Sequence, residues 1–122
     1  MYDPYAHAEA LGVAVLARRI GAPTGLWVPR LRVIFVRPGL TARHERSVVA
    51  HEVAHVVLGH SATSRKEERA ADALAARNLI DDRRFAEVAR WTQQRHELAV
   101  ELGVTERILG AYLDERERHA GN

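Results

Sequence analysis

Residues 48–60 read VVAHEVAHVVLGH. Three histidines and one glutamate sit in a run otherwise made of Val, Ala, Leu and Gly. A polar group buried without a partner costs roughly 2–7 kcal/mol, depending on the reference state. A segment this apolar belongs in a core, so His51, Glu52 and His55 must find partners inside the protein. That requirement constrains the fold more than any other stretch of the chain.

The run fits one helix over residues 42–58, with Thr41 as its N-cap and Gly59 as its stop. On a helix, positions four apart lie one turn apart and about 40° apart in direction. His51 and His55 therefore point the same way and can share one cation. Neutral imidazole is a good zinc ligand. Glu52 lies about 100° around from His51, beside the metal rather than on it. There it can act as the base that takes a proton from water. The alternative is a core helix whose histidines are satisfied by backbone carbonyls.

A catalytic zinc site needs a third protein ligand and one open position. The longer pattern HExxHxxGxxH would place Gly three and His six residues after the second histidine. Here Gly59 is four and His60 five residues after His55, so that spacing fails. If the helix continued, His60 would point roughly 140° away from His55. It is expected at the helix end or lining a pocket. The next helix begins at a capping box, Ser64-Arg65-Lys66-Glu67, and runs to about Leu79. Glu68 and Asp72 share a face there with Ala71, Ala75 and Leu79. Carboxylates on a small-residue face suggest close approach to something polar and buried. Glu68 is assigned to the metal. Asp72 is assigned to the outer ring nitrogen of a ligating histidine, His51 first, where it would fix the tautomer. Glu67 is assigned to the cap. The alternative is a solvated helix start, its acids pairing Arg65 or Arg69.

The rest of the chain gives an α+β expectation. Residues 4–11 read as a short helix. Segments 12–20 and 25–29 are β-favouring, punctuated by Pro23, Gly25 and Pro29. LRVIFV (31–36) is the best strand, with Leu31, Val33 and Phe35 on one face. If it were an edge, it could hold a substrate as an added strand. Asp81 and Asp82 cap a helix over 83–90, and helices near 93–102 and 105–117 follow. Trp91 is expected in the core. Residues 118–122 are expected to be disordered. One domain is expected over 1–122: a core over 4–80 and a helical, helix-turn-helix-like extension over 81–117.

With no cysteine in 122 residues, thiolate metal sites and disulfides are excluded. A formal charge of +2 is too even to imply nucleic-acid binding. The Ala- and Arg-heavy usage points to a GC-rich, bacterial or phage source. No signal peptide and no run of ~18 apolar residues is read, so no membrane partner is expected and the default compartment is the cytoplasm.

The HExxH helix followed by a Glu-x-x-x-Asp helix resembles the gluzincin pattern. More narrowly, VVAHEVAHVVLGH with EERAADALAARNLI is similar to the ImmA/IrrE family of bacterial and phage metallopeptidases. The resemblance covers roughly residues 4–80. It implies a small N-terminal β-sheet packed on a zincin-like helical core, with one zinc ion held by His51, His55 and Glu68. It also implies a catalytic Glu52, and a helix-turn-helix repressor as the protein substrate, cut once in phage or mobile-element immunity or in stress regulation. Ala70 and Leu74 depart from the Glu and Phe common at those places. The sequence does not choose an oxyanion stabiliser among His60, Tyr112 and several arginines.

HELAVELGVTERILGAYL (96–113) also resembles a helix-turn-helix, which supports a different function: a non-enzymatic DNA-binding regulator. Of Thr105, Glu106, Arg107, Gly110 and Ala111 on its second helix, only Arg107 is basic, whereas strong binding neutralises several phosphates. Packing of Leu98, Leu102, Val104, Ile108, Leu109 and Leu113 explains the same pattern without DNA. A third possibility is a metal-binding or interaction protein that keeps the fold without cleavage.

Overall fold

The computed structural model describes residues 1–61 and 64–120. Its elements, in chain order, are α1 (Pro4–Ala10), β1 (Ala14–Ala17), β2 (Gly25–Val28), β3 (Val33–Val36), α2 (Ala42–Leu58), α3 (Arg65–Leu79), α4 (Asp82–Ala89), α5 (Arg95–Leu102) and α6 (Glu106–Ala120). A three-stranded sheet at the N-terminal end and a set of helices behind it make the fold α+β.

Helix ends follow the local chemistry. Thr41 caps α2 by accepting from the His44 N–H at 3.2 Å, and Ser64 caps α3 by accepting from the Glu67 N–H at 3.1 Å. Gly59 ends α2 at φ 72°, a left-handed conformation that glycine adopts without steric cost. Asp81 caps α4. Helix α6 continues through residues 118–120, where disorder was expected. Ile108 and Leu109 bury one side of the start of α6, and Glu115 further along pairs Arg77 of α3 at 2.6 Å, which ties the helix down. Gly121 and Asn122 lie outside the described residues.

The strand order is β1-β3-β2, with β1 parallel and β2 antiparallel to β3. Strand β3 is therefore central, which corrects its expected use as an edge for substrate: both of its sides are already paired. It also starts at Val33 rather than Leu31. A turn bonds Leu31 N–H to Val28 O and Arg32 N–H to Pro29 O, and Arg32 takes φ 52° before the strand can begin. The free edges belong to β1 and β2.

Helix α2 divides two cores. Val49 and Val53 join Ala8, Val13, Ile34 and Val36 on the sheet side. Ala50 joins Ala75, Ala76, Leu79, Leu98, Val104, Ile108 and Leu109 on the other. Because 49 and 53 face one way and 50 another, a strip carrying Val48, His51, Glu52 and His55 is left between them. Leu98, Leu102, Val104, Ile108 and Leu109 are buried as their spacing predicts, with Leu113 partly buried. Trp91, expected in the core, is 56% exposed. It follows the C-cap of α4, where Val88 and Thr92 take the inward positions.

Strand β2 reaches α2 at Gly25. A Cβ there would lie 2.4 Å from Val48 Cγ1 and 3.1 Å from Glu52 Cγ. The Gly25→Ala protein is expected to lose about 1–3 kcal/mol of stability, because β2 must retreat or Val48 must leave its rotamer. Urea unfolding measures this, and an unchanged midpoint would contradict the contact.

Candidate metal centre

Helix α2 supplies His51, Glu52 and His55, and α3 supplies Glu68 and Asp72. The structure brings all five together. His51 Nε2 and His55 Nε2 are 3.1 Å apart, and Glu68 Oε2 is 2.8 Å from each. On the opposite side of the His51 ring, Nδ1 is 2.8 Å from Asp72 Oδ1. With that carboxylate accepting, His51 carries its proton on Nδ1 and turns the Nε2 lone pair toward Glu68.

Two nitrogen lone pairs and a carboxylate oxygen facing one another repel unless a proton or a cation lies among them. Zinc bonds of about 2.0–2.2 Å in a tetrahedron set donor atoms about 3.3–3.6 Å apart. The observed triangle is tighter, its two 2.8 Å edges by about half an ångström or more and its 3.1 Å edge by less. The donor set of two imidazoles and one carboxylate fits such an ion. His51, Glu52 and His55 alone also form a group able to hold a metal, their ligand atoms lying within 4.8 Å of one another. Glu52 is the more distant carboxylate: its Oε2 is 3.9 Å from His51 Nε2. Its Oε1 accepts the backbone N–H of Trp27 at 2.9 Å.

Burial governs the electrostatics here. Glu52 is buried, and that loss of water raises its pKa despite His51 and the Trp27 N–H. Burial also opposes the charged forms of His51, Glu68 and Asp72. In His51 the Asp72 hydrogen bond and three nearby carboxylates outweigh it, so its pKa rises. In Glu68 the two histidines outweigh it, and in Asp72 His51 and Arg107 do, so both acids shift down. His55 shifts down through burial first and the neighbouring His51 charge second.

His60 is neither at the shared point nor in the pocket with Glu52. Its Nδ1 is 2.9 Å from His55 Nδ1, at the rear of that ring, and its Nε2 is 3.8 Å from Glu67. The helix does not continue: the left-handed Gly59 turns the chain back and carries His60 behind His55. Glu67 therefore faces His60 in addition to its backbone role at the cap. Tyr112 is remote from the centre as well. Its hydroxyl bonds Asp82, and burial together with that bond pushes its pKa up to about 12.

Three features of the cleft escaped the sequence reading. The Trp27 N–H reaches Glu52 only because Gly25 lets β2 approach, and no periodicity encodes that contact. Arg107 Nε donates to Asp72 Oδ2 at 3.0 Å from the first turn of α6. The sole signal was an arginine in a helix start that otherwise lacked basic residues. His44, two turns before His51 on α2, lines the same cavity of about 270 Å³ as His51, Glu52, Glu68 and Arg107. Its place on the strip could have been read from the helical period.

An HExxH helix able to hold a metal, buried in an α+β scaffold, is the arrangement expected of the HExxH metallopeptidase class. The chain belongs to the Peptidase_M78 family: residues 8–113 match that family's model, described as the IrrE N-terminal-like domain. Substrates of a peptidase family are proteins or peptides. No curated protein matches the chain. Among the described residues, no helix is long and apolar enough to cross a membrane.

Proposed function

We propose that this protein is a zinc-dependent endopeptidase that cuts a helix-turn-helix transcriptional repressor at one site. The observation carrying the peptidase reading is the 2.8 Å approach of Glu68 Oε2 to both His51 Nε2 and His55 Nε2, with Glu52 beside them. These three residues are the proposed ligands, and Glu52 the proposed catalytic base. A zinc ion held there supplies a Lewis acid and brings the pKa of a water near 7.

Every other step is assigned to the chain itself. The Trp27 N–H holds one Glu52 oxygen and leaves the other facing the cleft. Glu52 takes the proton from the attacking water and returns it to the leaving amine. Asp72 orients His51, and Arg107 holds Asp72 from the cleft rim. Strand β2, an edge strand beside Glu52 whose Trp27 N–H is taken by that carboxylate, is the rail along which an extended substrate runs. A repressor substrate would be met in the cytoplasm, during phage or mobile-element induction or a stress response.

Asp72→Asn is expected to weaken zinc binding about ten- to hundredfold, since the ring of His51 loses its charged acceptor. Competition against a chelating dye measures this, and unchanged affinity would leave Asp72 outside the metal centre. The function itself is tested by incubating the zinc-loaded protein with the repressor encoded beside its gene. One new pair of fragments, abolished by a chelator and restored by zinc, is the expected result. An intact repressor under all these conditions would refute the substrate.

The DNA-binding alternative has less support. The turn before α6 is docked on α2: Arg43 and Arg46 donate to Val104 O and Gly103 O, and the Thr105 N–H donates to Ser47 Oγ. Arg107, the one basic residue in the first turn of α6, bonds Asp72.

A further inference from the structure

The sheet has two apolar faces, and its packing uses one of them. Ile34 and Val36 point inward, where α1 and α2 cover the sheet. On the other face, register places Leu16, Phe35 and Leu26 in one row across all three strands. Leu16 is 50% and Leu26 42% exposed. The Arg18 guanidinium stands over the Phe35 ring at 5.3 Å.

Charge separates this region from the rest of the chain. Residues 11–40 hold five arginines, Arg18, Arg19, Arg30, Arg32 and Arg37, and none of the 16 acidic residues. The face and the cleft share strand β2. On β2, Gly25 lines the cavity and the Trp27 N–H meets Glu52, while Leu26 between them lies on the outer face.

We propose that this outer face is a docking surface for the protein substrate, and that it takes an acidic, apolar segment next to the bond being cut. The inference rests on the peptidase reading and adds the chemistry of the partner. Apolar side chains of that segment cover Leu16, Phe35 and Leu26, and its carboxylates meet Arg18, which stands over Phe35. A chain paired to β2 turns alternate side chains to the two faces of the sheet, so one segment can occupy the cleft and this surface together.

The test uses the full, zinc-loaded chain and a labelled twelve-residue peptide of Glu, Leu and Ser, followed by fluorescence anisotropy. A counterpart with Lys in place of Glu, duplex DNA and phosphatidylglycerol vesicles are the other probes. The acidic peptide is expected to bind in preference to these, about tenfold more weakly in Leu16→Glu and in Arg18→Glu, and more weakly as salt rises. Leu16→Ala, a milder change at an exposed position, should weaken binding in the same direction. Zinc content and circular dichroism should be unchanged in all three variants.

Equal binding of the Lys peptide, or peptide binding indifferent to Leu16 and Arg18, would overturn the proposal. So would DNA or vesicles bound through those residues, or a dimer in light scattering that Leu16→Glu dissolves. Binding is read without turnover, so the two readings fail separately. A chain that binds through Leu16 and Arg18 but cleaves no repressor refutes the repressor as substrate and leaves the docking surface standing. A chain whose variants bind and cleave a repressor like the parent sinks only the docking surface.

Discussion

The Glu52→Gln protein is expected to keep its zinc and to lose repressor cleavage by about a hundred- to ten-thousandfold, the range associated with one positioned acid–base group. Glutamine preserves the shape of the side chain and can still accept the Trp27 N–H through its amide oxygen. What disappears is the capacity to take and return a proton. Single-turnover cleavage, with zinc measured by atomic absorption on the same sample, separates the outcomes. Full cleavage would place the base elsewhere. Loss of zinc together with cleavage would make Glu52 a ligand, as its place in the His51, Glu52 and His55 cluster allows.

The second large effect is expected from Glu68→Ala, whose zinc affinity should fall by more than about a hundredfold, beyond the loss expected from a residue acting through a ligand. Glu68 Oε2 is the one carboxylate oxygen 2.8 Å from both Nε2 atoms. Its side chain is 36% exposed, and alanine is the best helix former, so α3 should remain intact. A thermal melt without metal that matches the parent would show that the loss belongs to the site. Affinity equal to the parent would pass the third position to Glu52.

The limits of the sequence reading follow from the range of each interaction. Caps and periodicity act over a few residues, so Thr41, Gly59, Ser64 and Asp81 mark their helix boundaries well. The clustering of His51, His55, Glu68 and Asp72 was also legible. Each pair lies on one face of its own helix, and a short connection brings the two helices together. Strand order is a different matter. Which strand becomes central depends on pairing among three distant segments, and β3 has no local mark distinguishing it from an edge. His60 was expected at the helix end or lining a pocket; its place behind His55 depends on how the left-handed Gly59 folds the chain back. Arg107 and the Trp27 N–H reach the cleft from 35 and 25 residues away in the chain, and only tertiary packing specifies those contacts. Trp91 shows that size and hydrophobicity do not by themselves assign a residue to the core.

The docking of α6 on α3 has a consequence for how the chain can be divided. Arg107 and Ile108 border the same cavity as Gly25, so the lining of one cavity arrives from the two halves of the polypeptide. A protein ending after Leu79 would retain both imidazoles and Glu68 yet strip Asp72 of its hydrogen bond from Arg107 and α3 of its apolar bed. The cleft is thus not a detachable front half with an appendix behind it; its stretch of chain runs at least from Gly25 to Ile108.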